Sequence, residues 1–166
     1  MKVYFLSYNI MNNSTGDYFI ALSNKLSEDN KVVVFASKIR KTSMPLNDNV
    51  QILQWPSNNH NSLKDFFYLV KMVQKYKPDA MLSIFSFVNL FLIVGALFGV
   101  KTRIAWIRTL SSQLSQTKYK VLRKSFIYKL STHIITNSMA TKNDVVLPPL
   151  VFRYGFHSRF HLLSIC

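Results

Sequence analysis

The chain has 166 residues, which is enough for one domain with a substantial core and too few for two full α/β domains. Hydrophobic residues make up 49% of it, which excludes disorder for the body of the chain. The formal net charge of +14 is uneven, because residues 1–100 carry ten basic and six acidic groups whereas residues 101–166 carry eleven and one. This excess favours an anionic partner for the second half: nucleic acid, phospholipid head groups or a phosphorylated substrate.

Residues that would mark a secreted or metal-binding protein are few. Cys166 is the single cysteine, which excludes an intrachain disulfide and a thiolate metal site. Residues 1–13 hold a short apolar run without a small-residue cleavage site, and they resemble a first strand more than a signal peptide. His157 and His161 have the spacing of some metal ligands, but no acidic residue or cysteine is placed to help them. We therefore expect a cytoplasmic protein without a bound metal.

Up to Asp144 the chain alternates apolar runs typical of buried strands with amphipathic runs typical of helices. Strands are predicted at Val3–Tyr8, Lys31–Ala36, Val50–Gln54, Ala80–Phe85, Arg103–Arg108 and His133–Thr136. Helices are predicted at about Asp17–Leu26, from Ser62 to about Lys77, at Phe87–Phe98 and at Gln113–Leu130, with another beginning near Asn137–Asp144. Strands separated by helices of this length require right-handed crossovers. The predicted fold class is therefore α/β, with a Rossmann-like, largely parallel sheet and helices on both faces.

The first two helices are predicted to begin with capping boxes, in which two side chains each accept a hydrogen bond from the other's backbone N–H. The first pair is Ser14 and Asp17, and the second is Ser62 and Asp65. Both pairs stand directly before the apolar stripe of the helix that they would cap.

The stretch Ala80–Val100 carries no charge over 21 residues, which is long enough to span a bilayer. It also divides into a buried strand and a buried helix, since central strands of a parallel sheet are apolar on both faces. We favour the second interpretation, and a small membrane protein spanning at 80–100 remains an alternative.

Ligands of open α/β sheets bind at the carboxyl ends of the strands, where the loops Asn9–Gly16, Phe85–Asn89 and Arg108–Ser112 are predicted to lie. Gly16, at the mouth of a helix, would let the backbone approach a phosphate, but it is equally typical of a plain turn before a capped helix. Arg108 ends an apolar strand, where its guanidinium could bind a phosphate or form a surface ion pair. Because the chain has seven acidic residues against 21 basic ones, the phosphate is favoured.

The helix Gln113–Leu130 is strongly basic, and it is predicted to present either an ordinary solvated face or a face near anionic lipid. We favour the solvated face. No Ser-His-Asp arrangement can be argued from the sequence, and Glu28 is the only glutamate, so acid–base carboxylates are scarce. The catalytic residues, if any, are not predicted.

Four short motifs follow one another in the order and spacing of a known family. They are Gly16-Asp17 after the first polar loop, Tyr76-Lys77-Pro78-Asp79 and Lys101-Thr102-Arg103-Ile104 before buried strands, and Ile134-Ile135-Thr136-Asn137-Ser138 before a helix with Lys142 and Asp144. From Met1 to about Asp144 the chain thus resembles the N-terminal half of family-4-like glycosyltransferases of the GT-B fold.

The resemblance implies transfer of a sugar from a nucleotide-sugar donor across a cleft between two Rossmann-like domains, with no further cofactor. This half would receive a polysaccharide or lipid-linked acceptor at Arg108, Ser86 and Ser138, and Gly16 would contact the donor diphosphate. Two residues depart from the family pattern: Gly16 stands where adjacent glycines are usual, and Arg108 stands where a histidine is frequent.

The family binds the nucleotide-sugar mainly through a C-terminal domain with two glutamates separated by seven residues, which a chain with Glu28 alone cannot contain. The tail Val145–Cys166 has no acidic residue and no periodic pattern. We therefore expect a domain at 1–144 and an irregular, aberrant or frameshifted tail at 145–166. The resulting truncated transferase would be inactive alone, would need a separate C-terminal half, and would lie on the inner face of the cell membrane.

A basic nucleic-acid-binding module is the remaining alternative, supported by the charge of the second half. Its aromatic residues stand mostly at apolar helix or strand positions instead of being interleaved for base stacking, so we expect no specific nucleic acid.

Overall fold

The computed structural model describes residues 1–57, 62–84, 87–108 and 127–138, together with the backbone of 161–164. The strands are β1 (Val3–Ser7), β2 (Lys31–Ala36), β3 (Val50–Gln54), β4 (Ala80–Ile84), β5 (Thr102–Ile107), β6 (His133–Thr136) and β7 (His161–Ser164). The helices are α1 (Ser14–Leu26), α2 (Leu63–Tyr76) and α3 (Val88–Leu97).

The strands form one sheet in the order β3-β2-β1-β4-β5-β6-β7, and each neighbouring pair is parallel. The chain builds the sheet outward from β1 to β3 and then returns to the other side of β1 with β4. This reversal between β1 and β4 is the topological switch point of a doubly wound fold. The predicted Rossmann-like α/β class is confirmed.

Both faces of the sheet are covered, which explains why its central strands are apolar throughout. In β2 every residue from Val32 to Ala36 is fully buried. Phe5, Val33 and Met81 contribute to a core with residues of α2 and α3, whereas their neighbours along the strands contribute to a second core with α1. Since successive strand residues point to opposite faces, a continuous apolar run supplies both cores at once.

Helix α1 begins three residues earlier than predicted, and its N-cap is Asn13 instead of a Ser14–Asp17 capping box. The Asn13 side chain accepts a hydrogen bond from the Gly16 amide at 2.8 Å, and its carbonyl accepts one from the Asp17 amide at 2.9 Å. Asparagine caps helices as well as serine does, so either Asn13 or Ser14 could have been the N-cap. The structure uses Asn13.

The capping box of α2 is confirmed. The Asp65 amide donates to Ser62 Oγ at 3.2 Å, and Asp65 Oδ2 accepts from the Ser62 amide at 3.4 Å. Asp65 is fully buried and also accepts a hydrogen bond from the Ser57 hydroxyl. The helix ends at Lys77, which adopts a left-handed conformation with φ of 47° before Pro78.

The uncharged stretch Ala80–Val100 divides into β4 and α3, as predicted. Helix α3 has 10 residues, and most of them are buried against the sheet. No helix in the described ranges has the length and apolar character needed to cross a membrane.

Strand β7, which pairs in parallel with β6, lies in the tail for which the sequence predicted no regular element. Most of the predicted helix Gln113–Leu130 lies outside the described residues, although 127 and 128 are helical. The predicted helix near Asn137–Asp144 lies outside them from residue 139 onward. The frameshifted origin of the tail stays a prediction.

Candidate functional site

The loop that follows β1 lies at the switch point and is held by the loop that follows β2. The Ile10 amide donates to the Lys38 carbonyl at 2.9 Å, and the Arg40 amide donates to the Ile10 carbonyl at 3.0 Å. The Lys38 amide donates in addition to Asn9 Oδ1 at 3.2 Å. These bonds, with a parallel bridge between Ile10 and Ile39, hold the two loops side by side at the carboxyl edge of the sheet.

Gly16 is buried in the first turn of α1, and its own chain accounts for the glycine. A Cβ atom there would lie 2.1 Å from the carbonyl oxygen of Met11, so no larger residue fits without moving the loop. Its amide already donates to Asn13. The close approach of Met11 explains why a glycine stands in this turn. The contact of Gly16 with a donor diphosphate stays a prediction.

Arg108 is exposed, and its guanidinium lies against the same helical turn. Its Nη1 donates to the hydroxyl of Thr15, a residue 93 positions away in sequence and adjacent to Gly16. The only ion pair within the described part of the chain is Lys25–Glu28, so no described carboxylate neutralises Arg108. The partial positive charge of the α1 N-terminus adds to that of the guanidinium. The positive charges of Arg108 and of the helix N-terminus thus meet at this corner, where the first turn also carries the carboxylate of Asp17.

An exposed aromatic ring, which the sequence analysis missed, lies one helical turn after Thr15. Tyr18 is 48% exposed, and its ring meets that of Trp106 at a centroid distance of 5.2 Å and an angle of 84°. Trp106 packs in turn on Phe19, also at 5.2 Å. The signal was available, since Phe19 belongs to the buried stripe of the helix and its neighbour must face outward. A fixed ring of this kind can pack on the apolar face of a sugar.

Several polar atoms buried near this edge have no hydrogen-bond partner among the described residues. They are Oγ of Ser7 and Ser83, Oγ1 of Thr136, and Nε1 of Trp55 and Trp106. Ser7 and Ser83 are direct neighbours in the register of β1 and β4, so the two hydroxyls lie together at the switch point. Buried polar groups normally have partners, and two adjacent hydroxyls form a suitable place for an ordered water molecule.

Of the other two residues predicted to contact the acceptor, the structure describes only one. Ser86 lies outside the described residues. Ser138 is half-buried and follows β6, whose Thr136 is paired in register with Ile107 of β5. Asn137 therefore continues β6 where Arg108 continues β5, and Ser138 comes one residue later at the same edge.

The described side chains at this edge offer a cation, a hydroxyl and an aromatic surface, and no cluster of metal ligands. Within the described ranges no three His, Cys, Asp or Glu side chains come together as metal ligands. Burial raises the pKa of Tyr8, the tyrosine nearest the switch point, to about 12, so its phenol is not a proton carrier near neutral pH. Arg108 supplies the positive charge, Thr15 a hydroxyl and Tyr18 an apolar surface.

No family model matches the chain, and no curated protein sequence matches it. Several solved structures, in contrast, are similar to it in fold. UDP-GlcNAc 2-epimerase from Methanocaldococcus jannaschii superposes with a TM-score of 0.57 at 13% identity, covering 88% of this chain and 42% of the epimerase. Sucrose-phosphate synthase from Thermosynechococcus elongatus gives a TM-score of 0.63 at 10% identity, covering 99% of this chain and 48% of the synthase.

A third structure, Anabaena HepE in complex with UDP and glucose, gives a TM-score of 0.61 at 12% identity. It is matched over 99% of this chain and 44% of its own. The chain has the fold of a GT-B domain. It spans less than half the length of each of these three proteins, so the GT-B domain corresponds to one part of them.

Proposed function

We propose that this GT-B domain is the acceptor-side half of a glycosyltransferase, and that its ligands bind at the carboxyl edge between β1, β4 and β5. The observation that carries the proposal is the position of Arg108. Its guanidinium, without a described carboxylate beside it, lies against the first turn of α1 at the topological switch point. This is where open α/β sheets bind phosphorylated ligands.

In this proposal each residue has a distinct task. The first turn of α1, which Gly16 allows to approach the loop closely, faces the diphosphate of a nucleotide-sugar donor. Arg108, together with Ser86 and Ser138, contacts a polysaccharide or lipid-linked acceptor, and a guanidinium in that place suits an acceptor that carries phosphate. HepE binds UDP and glucose, which supports a nucleotide-sugar as the donor here.

The domain is proposed to be inactive alone. Transfer of a sugar requires donor and acceptor to be held in attack geometry, and in a GT-B enzyme the second domain supplies most of the donor site. A truncated chain would need a separate C-terminal half, and it would work in the cytoplasm or on the inner face of the cell membrane. Appreciable sugar transfer by the 166-residue chain alone would contradict this part of the proposal.

Binding to the purified chain tests the site directly. Titrations of UDP-glucose and of inorganic pyrophosphate, followed by amide NMR shifts, are expected to perturb the first turn of α1. Arg108→Ala is expected to weaken pyrophosphate about tenfold or more, because a charge-assisted hydrogen bond to phosphate is lost. Lys101→Ala, at the opposite edge of the sheet, is the matched control and should leave the affinity unchanged.

Equal weakening in both variants would mean non-specific attraction to a basic protein and would contradict the site. Failure of the folded chain to saturate with pyrophosphate would contradict the site as well. A titration with generic RNA completes the set, and tighter, salt-dependent RNA binding would favour the nucleic-acid module instead.

A further inference from the structure

Two large apolar side chains lie on the outer side of α2, away from the core. Leu63 is 76% exposed and Phe67 is 65% exposed. They are four residues apart, so they lie one above the other on the same side of the helix. The opposite side already buries Leu69, Met72 and Val73. The exposed pair is therefore not needed to attach the helix to the sheet.

The charges around this pair have one sign. Lys64, Lys71 and Lys75 follow one another at helical spacing beside it, and all three are exposed. The only acidic residue of α2 is Asp65, which is fully buried and hydrogen-bonded to Ser57 and Ser62. The outer side of α2 thus combines apolar side chains with lysines and exposes no carboxylate.

This composition fits an anionic bilayer better than a protein partner. A stable protein interface covers roughly 800 Å² on each side, far more than two side chains provide. A helix that carries apolar residues next to lysines instead rests in the interface of an anionic membrane, with the apolar residues inserted and the lysines at the head groups. Two inserted side chains suffice there because the lysines add electrostatic attraction.

The position of the pair relates it to the candidate site. Leu63 is the first residue of α2, which begins after the loop that leaves the carboxyl end of β3. Arg108 and the first turn of α1 lie at the same carboxyl edge of the sheet. A membrane contact at Leu63 and Phe67 would therefore lie at the end of α2 nearest this edge, on the face of the sheet opposite α1.

We propose that the outer side of α2, formed by Leu63, Lys64, Phe67, Lys71 and Lys75, docks the chain on an anionic phospholipid surface. A consequence, which rests on the proposed function, is that the acceptor is lipid-linked, since docking holds the domain at the surface where such an acceptor lies. A free polysaccharide would need no such contact.

Vesicle co-sedimentation of the full chain tests the docking. Vesicles of phosphatidylglycerol mixed with phosphatidylcholine are expected to bind the chain, and vesicles of phosphatidylcholine alone to bind it weakly. Each of Lys64→Ala and Lys71→Ala should weaken partitioning about fivefold, because a lysine near an anionic surface contributes that much. The double variant Leu63→Ser/Phe67→Ser should lose most of the binding, and its thermal unfolding should stay close to that of the unaltered chain.

Leu97 is the matched control, since it is 67% exposed at the end of α3 that faces the amino edge of the sheet. Leu97→Ser should sediment like the unaltered chain. The docking is overturned if Leu97→Ser loses binding while Leu63→Ser/Phe67→Ser keeps it, or if both lipid mixtures bind the chain equally.

The experiment separates docking from the proposed function. Leu63→Ser/Phe67→Ser should bind UDP-glucose and pyrophosphate as before, since neither side chain belongs to the site around Arg108. Vesicle binding that persists without any pyrophosphate binding would support docking and contradict the proposed site. Pyrophosphate binding without vesicle binding would support the proposed site and overturn docking.

Discussion

The two edges of the sheet are built differently. At the amino edge polar groups bind the backbone: Asp79 Oδ2 accepts from the Val3 amide at 2.9 Å, and Arg103 donates from Nε to the Leu130 carbonyl at 2.6 Å. At the carboxyl edge Ser7 and Ser83 have no described partner, and Arg108 meets only a hydroxyl among the contacts described. The described polar groups of one edge are satisfied within the fold, whereas the other edge has buried hydroxyls without a described partner.

A groove of about 470 Å³ lies at the amino edge, between the ends of α2 and α3. It is lined by Lys77, Asp79 and Lys101 among others, and the carboxylate of Asp79 is occupied by Val3. Helices present their negative ends there, which disfavours an anionic ligand. The groups that line this groove therefore give no support for a phosphate site at the amino edge.

Gly16→Ala is expected to have the largest effect on the carboxyl edge. The new Cβ would collide with the Met11 carbonyl, and overpacking of this kind costs about 3 kcal/mol of unfolding free energy. Urea denaturation measures it, with Ser14→Ala in the same turn as a control that should stay within about 0.5 kcal/mol. If Gly16→Ala loses less than about 0.5 kcal/mol, the loop around Met11 can move to accommodate the new Cβ.

Raising the pH should destabilise the protein through Tyr8, whose pKa of about 12 in the folded state lies above its ordinary value of 10.0. The folded state holds the phenolic proton more tightly, so this stability is complete below pH 10 and is lost as the pH rises towards 12. The loss amounts to about 2 to 3 kcal/mol. Comparing the unaltered chain with Tyr8→Phe between pH 8 and 12 isolates the effect. A parallel decline in both would assign it to other groups.

The two arginines offer a paired test of the edges. Arg103→Met removes the donors to the carbonyls of Val100 and Leu130 and should cost about 2 kcal/mol of stability without changing pyrophosphate affinity. Arg108→Met should change stability by less than about 0.5 kcal/mol and weaken pyrophosphate binding instead. Calorimetric unfolding and binding titrations of both variants measure the two effects. Weaker pyrophosphate binding by Arg103→Met, or a large loss of stability in Arg108→Met, would contradict the comparison.

The smallest effect is expected from Ser7→Ala and Ser83→Ala. A buried hydroxyl without a partner contributes no hydrogen bond, so its removal should leave stability unchanged or raise it by up to about 1 kcal/mol. If each single change instead costs stability and the double variant loses less than their sum, the two hydroxyls share an ordered water molecule, because either change alone already removes the shared contact. Urea denaturation of the three variants decides between these outcomes.

The sequence predicted the regular elements well where a single signal was strong. Lys31–Ala36, Val50–Gln54 and His133–Thr136 have the predicted bounds because β-branched or apolar runs end at polar residues. The start of α1 was wrong because Asn13 and Ser14 are both good caps. Strand β7 was missed because it is four residues long and depends on a neighbouring strand for its pairing.

The site was predictable only in part. The strand ends predicted the carboxyl edge and Arg108 as the candidate site, since this needs only the order of strands and helices. The contact of Arg108 with Thr15 depends on how β5 and α1 are placed across the sheet, and the pairing of Ser7 with Ser83 depends on strand register. Neither is encoded in local periodicity. Tyr18, by contrast, was accessible from its neighbour Phe19.

The bridge between Ile10 and Ile39 has a consequence for recognition. Because the loop after β1 is hydrogen-bonded to the loop after β2, its shape is already set when the sheet forms. A ligand that reaches the first turn of α1 then meets a surface whose conformational entropy was lost during folding, so little is lost again on binding. The two loops are therefore preorganised for the ligand that we propose for this edge.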